Sequence, residues 1–332
     1  MKLTTQGQPV DLSAAADFLG NGAIEINDYE SEITDLVRRS TFALQRFPAM
    51  PATGHPHRYF EQTVIATADA VDPRVPTATP SSPTRLERPA FIKAIVAQTN
   101  FTLFDREVTV QQGRFSNVIA KDINDILVAV QIKSAKMVWV GTDTSMSTPT
   151  TLEYMGALRQ ITAQATIALG ASIIDGLKTQ VAAMVADTTY SVMPTAIYLS
   201  PLLADLIDRE ARTSALLLPQ VEVVAGVKVT GLSTQAGIIP LVSDPYIPKT
   251  AGTEFGFTTP GAGNSNYFAV IVSDDMVERP VISGEAHNPN PRLFQLGLVG
   301  GLSGQYVGLK FDTVIFKGPS YAHKAVAVVR AT

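Results

Sequence analysis

His55 and His57 flank a proline, and two imidazoles one residue apart are half of a metal site. Zinc centres need three or four placed ligands, and no third ligand stands nearby. The pair therefore reads as loop surface. Asp274-Asp275 follows an apolar run, where paired carboxylates can hold magnesium. No phosphate-binding loop or basic partner accompanies them, so they read as a solvated strand end. Gly301-Leu302-Ser303-Gly304 falls one glycine short of a nucleophile elbow, because Gln305 takes the last place. Gly261-Ala262-Gly263 lacks the third glycine and the flanking strand and helix of a dinucleotide site. There is no cysteine and there are four histidines. That composition removes thiol nucleophiles, disulfides, cysteine–zinc sites and iron–sulfur clusters. No catalytic constellation emerges. The expectation is a chain that is not an enzyme, with no metal and no cofactor.

Other charges suit contact better than catalysis. Arg74, Arg85 and Arg88 surround a proline-rich stretch, with Glu87 among them, and Arg38-Arg39 lies in the N-terminal region. A solvated loop is one reading. An inter-subunit assembly patch is the other, because the planar guanidinium suits pairing across subunits. Charged residues make up only 17 % of the 332, against 45 % hydrophobic. Mean hydropathy is +0.15. Ordinary domains carry about 25 % charge. The net charge of -4 and pI of about 5.6 argue against a nucleic-acid reader. Met1 to Gln8 is polar and has no apolar core of the secretory type. The most apolar helical candidate, 161–186, is interrupted by Gln164, Asp175, Lys178 and Gln180, so no membrane span is expected.

The elements that must position these residues come in a definite order. In 1–53, Asp11 to Leu19 and Tyr29 to Leu44 each fit a short helix, separated by breakers such as Gly20-Asn21-Gly22. Tyr59 to Ala66 is strand-like. Pro73, Pro76, Pro80, Pro83 and Pro89 then keep the chain extended. Phe91 to Val96 and Phe101 to Val110 are further strand-like runs, so 54–115 reads as a long two-stranded ribbon with a proline-rich tip. Such a ribbon is marginal alone and needs something to lie on. Residues 118–140 carry a stripe of Ile119, Ile123, Ile126, Val130 and Met137 with no Gly or Pro, which predicts a helix roughly 30 Å long. Ile161, Ala165, Leu169, Ile173, Leu177 and Val181 predict one or two more helices in 152–187. Pro194 to Leu199 reads as a buried strand, and Ser200-Pro201 as the cap and first residue of the next helix. Beyond it the pattern is β: a hairpin at Val221 to Thr230, then Ile238 to Val242, Tyr267 to Val272, Leu293 to Val299, Tyr306 to Phe316 and Ala325 to Val329. The glycine-rich stretch 252–263 reads as a loop.

This order resembles the major capsid proteins of tailed bacteriophages, with the Hong Kong ninety-seven coat fold. The local matches are Asn100 to Val110, Pro194 to Pro201, and Val221 to Leu232 followed by Pro240 to Pro248. The resemblance implies an α+β class: N-terminal arm 1–53, extended β loop 54–115, peripheral domain with a long spine helix 116–189, axial domain 190–295, and a C-terminal return to the peripheral domain 296–332. It implies a structural protein of the virion, assembled in the host cytoplasm as pentamers and hexamers of itself around double-stranded DNA. A separate scaffolding protein, a portal and a cement protein are implied partners, contact with DNA is nonspecific, and no membrane is involved. Some family members crosslink through an extended-loop lysine. Residues 54–92 contain none, and Lys93 is the first, so a noncovalent shell is expected. An encapsulin-like compartment is the alternative within the class. A soluble α/β hydrolase with a β-rich accessory domain is the alternative outside it.

Overall fold

In a computed structural model of the chain, Ala196–Leu199 is a strand buried at all four positions. The structure describes residues 2–5, 8–11, 42–74, 79–112, 118–214, 216, 218–224, 227–283, 290–299 and 303–331. Ala196–Leu199 pairs with Asn264–Val272 antiparallel and with Gly237–Ser243 parallel, in the middle of an eight-stranded sheet. Ile197 and Leu199 face the helices Ile173–Val185 and Pro201–Thr213, while Ala196 and Tyr198 face a second core. The centre of this sheet is covered on both faces and has no solvent side, which is why 196–199, 267–272 and 325–329 read as unbroken apolar runs. Lys324–Ala331 lies inside this sheet, between Gln164–Ile167 and Asn264–Val272. Ser200 and Pro201 act as expected: the Ser200 hydroxyl accepts from the Leu203 N–H at 3.2 Å and proline takes the first turn. The Glu210 carboxylate accepts the N–H groups of Ile173 and Ile174 at 2.8 and 3.2 Å. One helix thereby holds the N-terminus of the other.

A second sheet is built around Ser303–Asp312, which pairs with Lys93–Thr102 over ten residues and with Arg292–Val299 on its other side. Val277–Ile282 joins it, carrying Ala49–Pro51 in parallel and Ile315–Phe316. The helix Val118–Val140 lies across this sheet, as its unbroken stripe predicts. Gly308 lets it approach: a β-carbon there would stand 2.7 Å from Ile126 Cγ2. At the far end of the helix Trp139 is fully buried and donates its Nε1–H to Asp244 Oδ2 at 3.0 Å. Among the described residues, no helix is long and apolar enough to cross a membrane.

Four sequence expectations need correction. The return strand of the ribbon is Thr84–Ala90, not Phe91 to Val96. Pro89 is tolerated in it because a two-stranded ribbon is all edge and needs an N–H at only alternate positions. Phe101 to Val110 is not one strand. Pairing ends where Thr102 meets Ser303, and Leu103–Gln112 is a helix. Once the partner strand runs out, a helix satisfies the backbone internally. The four-residue repeat in 152–187 is helical only over Ile173–Val185, with a short turn of helix at Ala157–Gln160. Gln164–Ile167 is a strand beside the last strand of the chain, and Gly170 at φ 83 separates it from the Ser172 cap. Asp11 closes a hairpin of Lys2–Thr5 and Gln8–Asp11 instead of opening a helix. The remainder of the two N-terminal helix expectations lies outside the described residues until Phe42–Arg46.

His323 is fully buried against the Phe316 ring, 5.3 Å between centroids. Burial pushes its imidazole down from 6.5 to about 4, and the backbone of Met276 and Lys317 offsets part of that. The unfolded chain takes up this proton near pH 6.5 and the folded chain only near pH 4, so acid favours unfolding. Stability should be complete above pH 6.5 and fall by about 3 kcal/mol as pH drops to 4. Urea unfolding at pH 7 and 4.5 checks this, and His323→Leu should flatten that part of the profile. An unchanged slope in His323→Leu overturns the assignment.

Candidate assembly surfaces

The ribbon is His57–Val64 paired with Thr84–Ala90, and alternation gives it two unlike faces. Tyr59, Glu61 and Ala90 point inward, where Tyr59 and Ala90 pack on Ile315 and Met146. The buried Glu61 carboxylate accepts the Gly318 N–H at 2.8 Å and pairs with Arg88 Nε at 2.7 Å. Lys317 Nζ stands 5.9 Å from the centre of the Tyr59 ring. Burial, then Glu61, pushes the Tyr59 hydroxyl up to about 12. Clefts of about 430 and 470 Å³ flank this root. The outward face carries the Arg58–Glu87 ion pair at 2.5 Å, the Arg85 Nε to Gln62 hydrogen bond at 3.1 Å, and Phe60, which is 69 % exposed.

Beyond Val64 the ribbon leaves the body. Every described residue from Val64 to Leu86 is exposed, including Ile65 at 74 % and Val71. Its hydrogen bonds there are its own: the Thr67 N–H to Ser81 Oγ at 2.7 Å and the Thr79 N–H to Asp69 Oδ2 at 2.8 Å.

The residues singled out from sequence thus separate. Arg74 sits at the tip, its N–H bonded to Asp72 Oδ1 at 2.9 Å. Arg85 and Glu87 lie on the outward face, and Arg88 spans from the root to solvent, its side chain 46 % exposed. Arg38 and Arg39 lie outside the described residues. Sequence reading missed Glu61, whose signal is a carboxylate on the same alternate face as Tyr59. Replacing Glu61 by Ala should cost about 1–3 kcal/mol, because the Gly318 N–H loses its partner in a buried place. It should also raise hydrogen exchange at Gly318, whereas Glu61→Gln, which keeps an acceptor, should cost less. Equal exchange in Glu61→Ala and the parent rules this role out.

A second anchor holds the segment that leads into the ribbon. Phe47 is fully buried among Trp139, Tyr198 and Phe316, with ring centroids 5.4 to 6.1 Å away. Arg46 pairs with Asp274, which accepts the Tyr198 hydroxyl at 3.0 Å. Arg279 NH1 donates to the Leu44 carbonyl at 3.0 Å. Asp274 is therefore a half of an ion pair that fixes the N-terminal segment, not a solvated strand end. His55 stacks edge-on to Phe91, with centroids 5.3 Å apart, and His57 opens the ribbon. Among the described residues, no group of three or more His, Asp or Glu is placed to hold a metal. Ser303 starts a strand, while Gly301 and Leu302 lie outside the described residues. Gly261 and Gly263 sit in a turn at φ 88 and 75. Lys93 is held at the base of the second sheet, donating to the Thr151 carbonyl at 2.5 Å and 3.7 Å from Asp143 Oδ2.

A scan against protein-family models finds no match, and neither does a search of curated proteins. Solved structures do match along nearly the whole chain. The capsid of cyanophage A-1(L) aligns with a TM-score of 0.66 at 9 % identity, over 91 % of this chain and 96 % of that one. The head of Helicobacter pylori bacteriophage KHP40 gives 0.61 at 11 % identity, over 94 % and 96 %. An encapsulin complex from Synechococcus elongatus gives 0.59 at 10 % identity, over 96 % and 95 %. At such identities the likeness establishes a fold. That fold is α+β and is shared by tailed-phage capsids and an encapsulin.

Proposed function

We propose, from the Hong Kong ninety-seven coat fold that this chain adopts, that it is a structural shell subunit: the major capsid protein of a tailed phage. Its work is mechanical, with no catalysis and no cofactor. The observation that carries the reading is the ribbon, anchored at its root by Glu61 and Arg88, with every described residue from Val64 to Leu86 exposed. An apolar projection without a body of its own is stable when it lies on another copy. Obligate interfaces often exceed about 2,000 Å² and are more apolar than transient ones. Low overall charge fits the same picture, because part of each subunit's apparent surface becomes interface. Rotational symmetry then closes the rings, pentamers and hexamers, into a shell.

In this reading 1–53 is the arm, 54–115 the extended loop, 116–189 the peripheral domain with its spine helix, 190–295 the axial domain and 296–332 the return. Arg74, Arg85, Glu87, Arg88, Arg38 and Arg39 are its assembly residues. The shell forms in the host cytoplasm with a separate scaffolding protein and a portal, and touches packaged double-stranded DNA nonspecifically. Lys93, engaged with Thr151 and Asp143, supports a noncovalent shell. Electron microscopy of the protein made with its scaffold should show capsomer rings or closed shells. A strictly monomeric particle under all assembly conditions overturns the proposal. The encapsulin likeness favours one second reading, a protein compartment without a genome. Nucleic acid in the purified particles separates the two.

A further inference from the structure

Arg292–Val299 forms one edge of the second sheet, and among the described residues it pairs on one side only, with Ser303–Asp312. An open strand edge is a row of unpaired donors and acceptors, and soluble proteins usually guard it with lysine, proline or a covering element. Among the described residues, no element covers this one. Its sequence, Arg-Leu-Phe-Gln-Leu-Gly-Leu-Val, has one charge and no proline. Leu293, Phe294 and Leu296 are 38 %, 41 % and 47 % exposed, on both faces of the sheet. On the opposite edge, Lys93–Thr102, only Val96 of the large apolar side chains is comparably exposed.

We propose that this edge is covered by the same strand of a second copy, antiparallel, about a two-fold axis through Phe294. The inference rests on the shell reading above. Only an extended strand can satisfy a row of backbone groups, and self-pairing suits this sequence. The register is regular from Arg292 to Leu296 and shifts before Val299, so the regular segment is centred on Phe294. Pairing about that centre sets Phe294 opposite Phe294 of the other copy, an aromatic pair of the kind that stabilises sheets. Arg292, whose guanidinium already lies 5.3 Å from the centre of its own Phe294 ring, comes opposite Leu296. Its long stem covers that leucine while its charge stays in water. The two Arg292 residues end about 13 Å apart along the strands, beyond the reach of unscreened repulsion. The paired segment is about 16 Å long, and such a contact falls well short of the roughly 1,000 Å² that holds a free dimer. It therefore works as a repeated contact in a closed lattice, joining one ring of subunits to the next.

The absence of cysteine makes the test clean. Phe294→Cys places a thiol opposite itself across the axis, at a spacing that allows a disulfide. Leu293→Cys combined with Gln295→Cys makes the same contact without removing the aromatic anchor. Oxidised shells of either variant should give a covalent dimer on non-reducing gels, at least tenfold more than the unassembled chain at equal concentration. Absence of dimer from shells of both variants overturns the proposal and leaves the shell reading standing. A dimer that forms instead only when Phe294→Cys is combined with Leu86→Cys also overturns it, in favour of a neighbour's ribbon. Failure of the parent chain to form any shell is a different result and counts against the shell reading itself.

Discussion

Replacing residues 65–83 by an Asn-Gly turn is expected to leave the chain folded and to abolish closed shells. Val64 and Thr84 are a paired position, so a two-residue turn closes the ribbon where it leaves the body. The described residues removed are all exposed, and the hydrogen bonds lost are those the tip makes with itself. No buried apolar area goes with them. Shortening the loop also lowers its closure entropy, by up to about 2 kcal/mol. The unfolding midpoint should therefore stay or rise. Assembly should fail, because Ile65, Val71 and the charges around Arg74 are the surface offered to a neighbour. A calorimetric scan alongside sedimentation and negative-stain microscopy checks both halves. Shells at the parental yield remove the ribbon from the assembly mechanism, and a lowered midpoint shows that the tip supports its own subunit.

The sequence shows most clearly what one face of one element decides. The long helix needs only its stripe and its freedom from Gly and Pro, and its C-terminal bound falls beside Gly141. Ser200-Pro201 marks a helix start because capping is local chemistry. Phe101 to Val110 is misread because strand length is set by the partner: its first two residues pair, and then Ser303–Asp312 runs out. Gln164–Ile167 is hidden for the same reason, since the one strand it pairs with among the described residues lies 161 positions further on, Gln164 against Ala325. The roots of the surface are hidden differently. Glu61 looks like any strand carboxylate until Gly318 and Arg88 meet it, and Asp274 looks solvated until Arg46 arrives from the N-terminal segment.

Asp312→Asn is expected to cost about 3–5 kcal/mol, a large part of the stability of an ordinary domain. Alternation along Leu309-Lys310-Phe311-Asp312 suggests that the two apolar residues face inward. In the structure Lys310 and Asp312 are the buried pair, under the long helix, with Lys310 Nζ 2.6 Å from Asp312 Oδ2. Ser134 of that helix donates its hydroxyl to the same Oδ2 at 2.7 Å and accepts from Lys310 Nζ at 2.8 Å. Arg279 is also buried here; burial holds its guanidinium below the usual range and Asp312 opposes that shift. Neutralising Asp312 thus leaves two cations out of water with no counter-charge. Lys310→Met should cost less, and Lys310→Met with Asp312→Leu should recover to within about 1–2 kcal/mol of the parent, since an apolar pair of similar volume replaces a desolvated ion pair at little cost. Urea unfolding of Lys310→Met, Asp312→Leu and the double variant completes a cycle and gives the coupling energy directly. A loss under about 1 kcal/mol for Asp312→Asn means that water reaches the pair, and the burial argument fails. If the double variant is stable yet assembles poorly, the ions serve alignment more than stability. They fix Ser134, and with it the long helix, over a sheet that carries both the chain leaving the ribbon and the edge strand at Phe294.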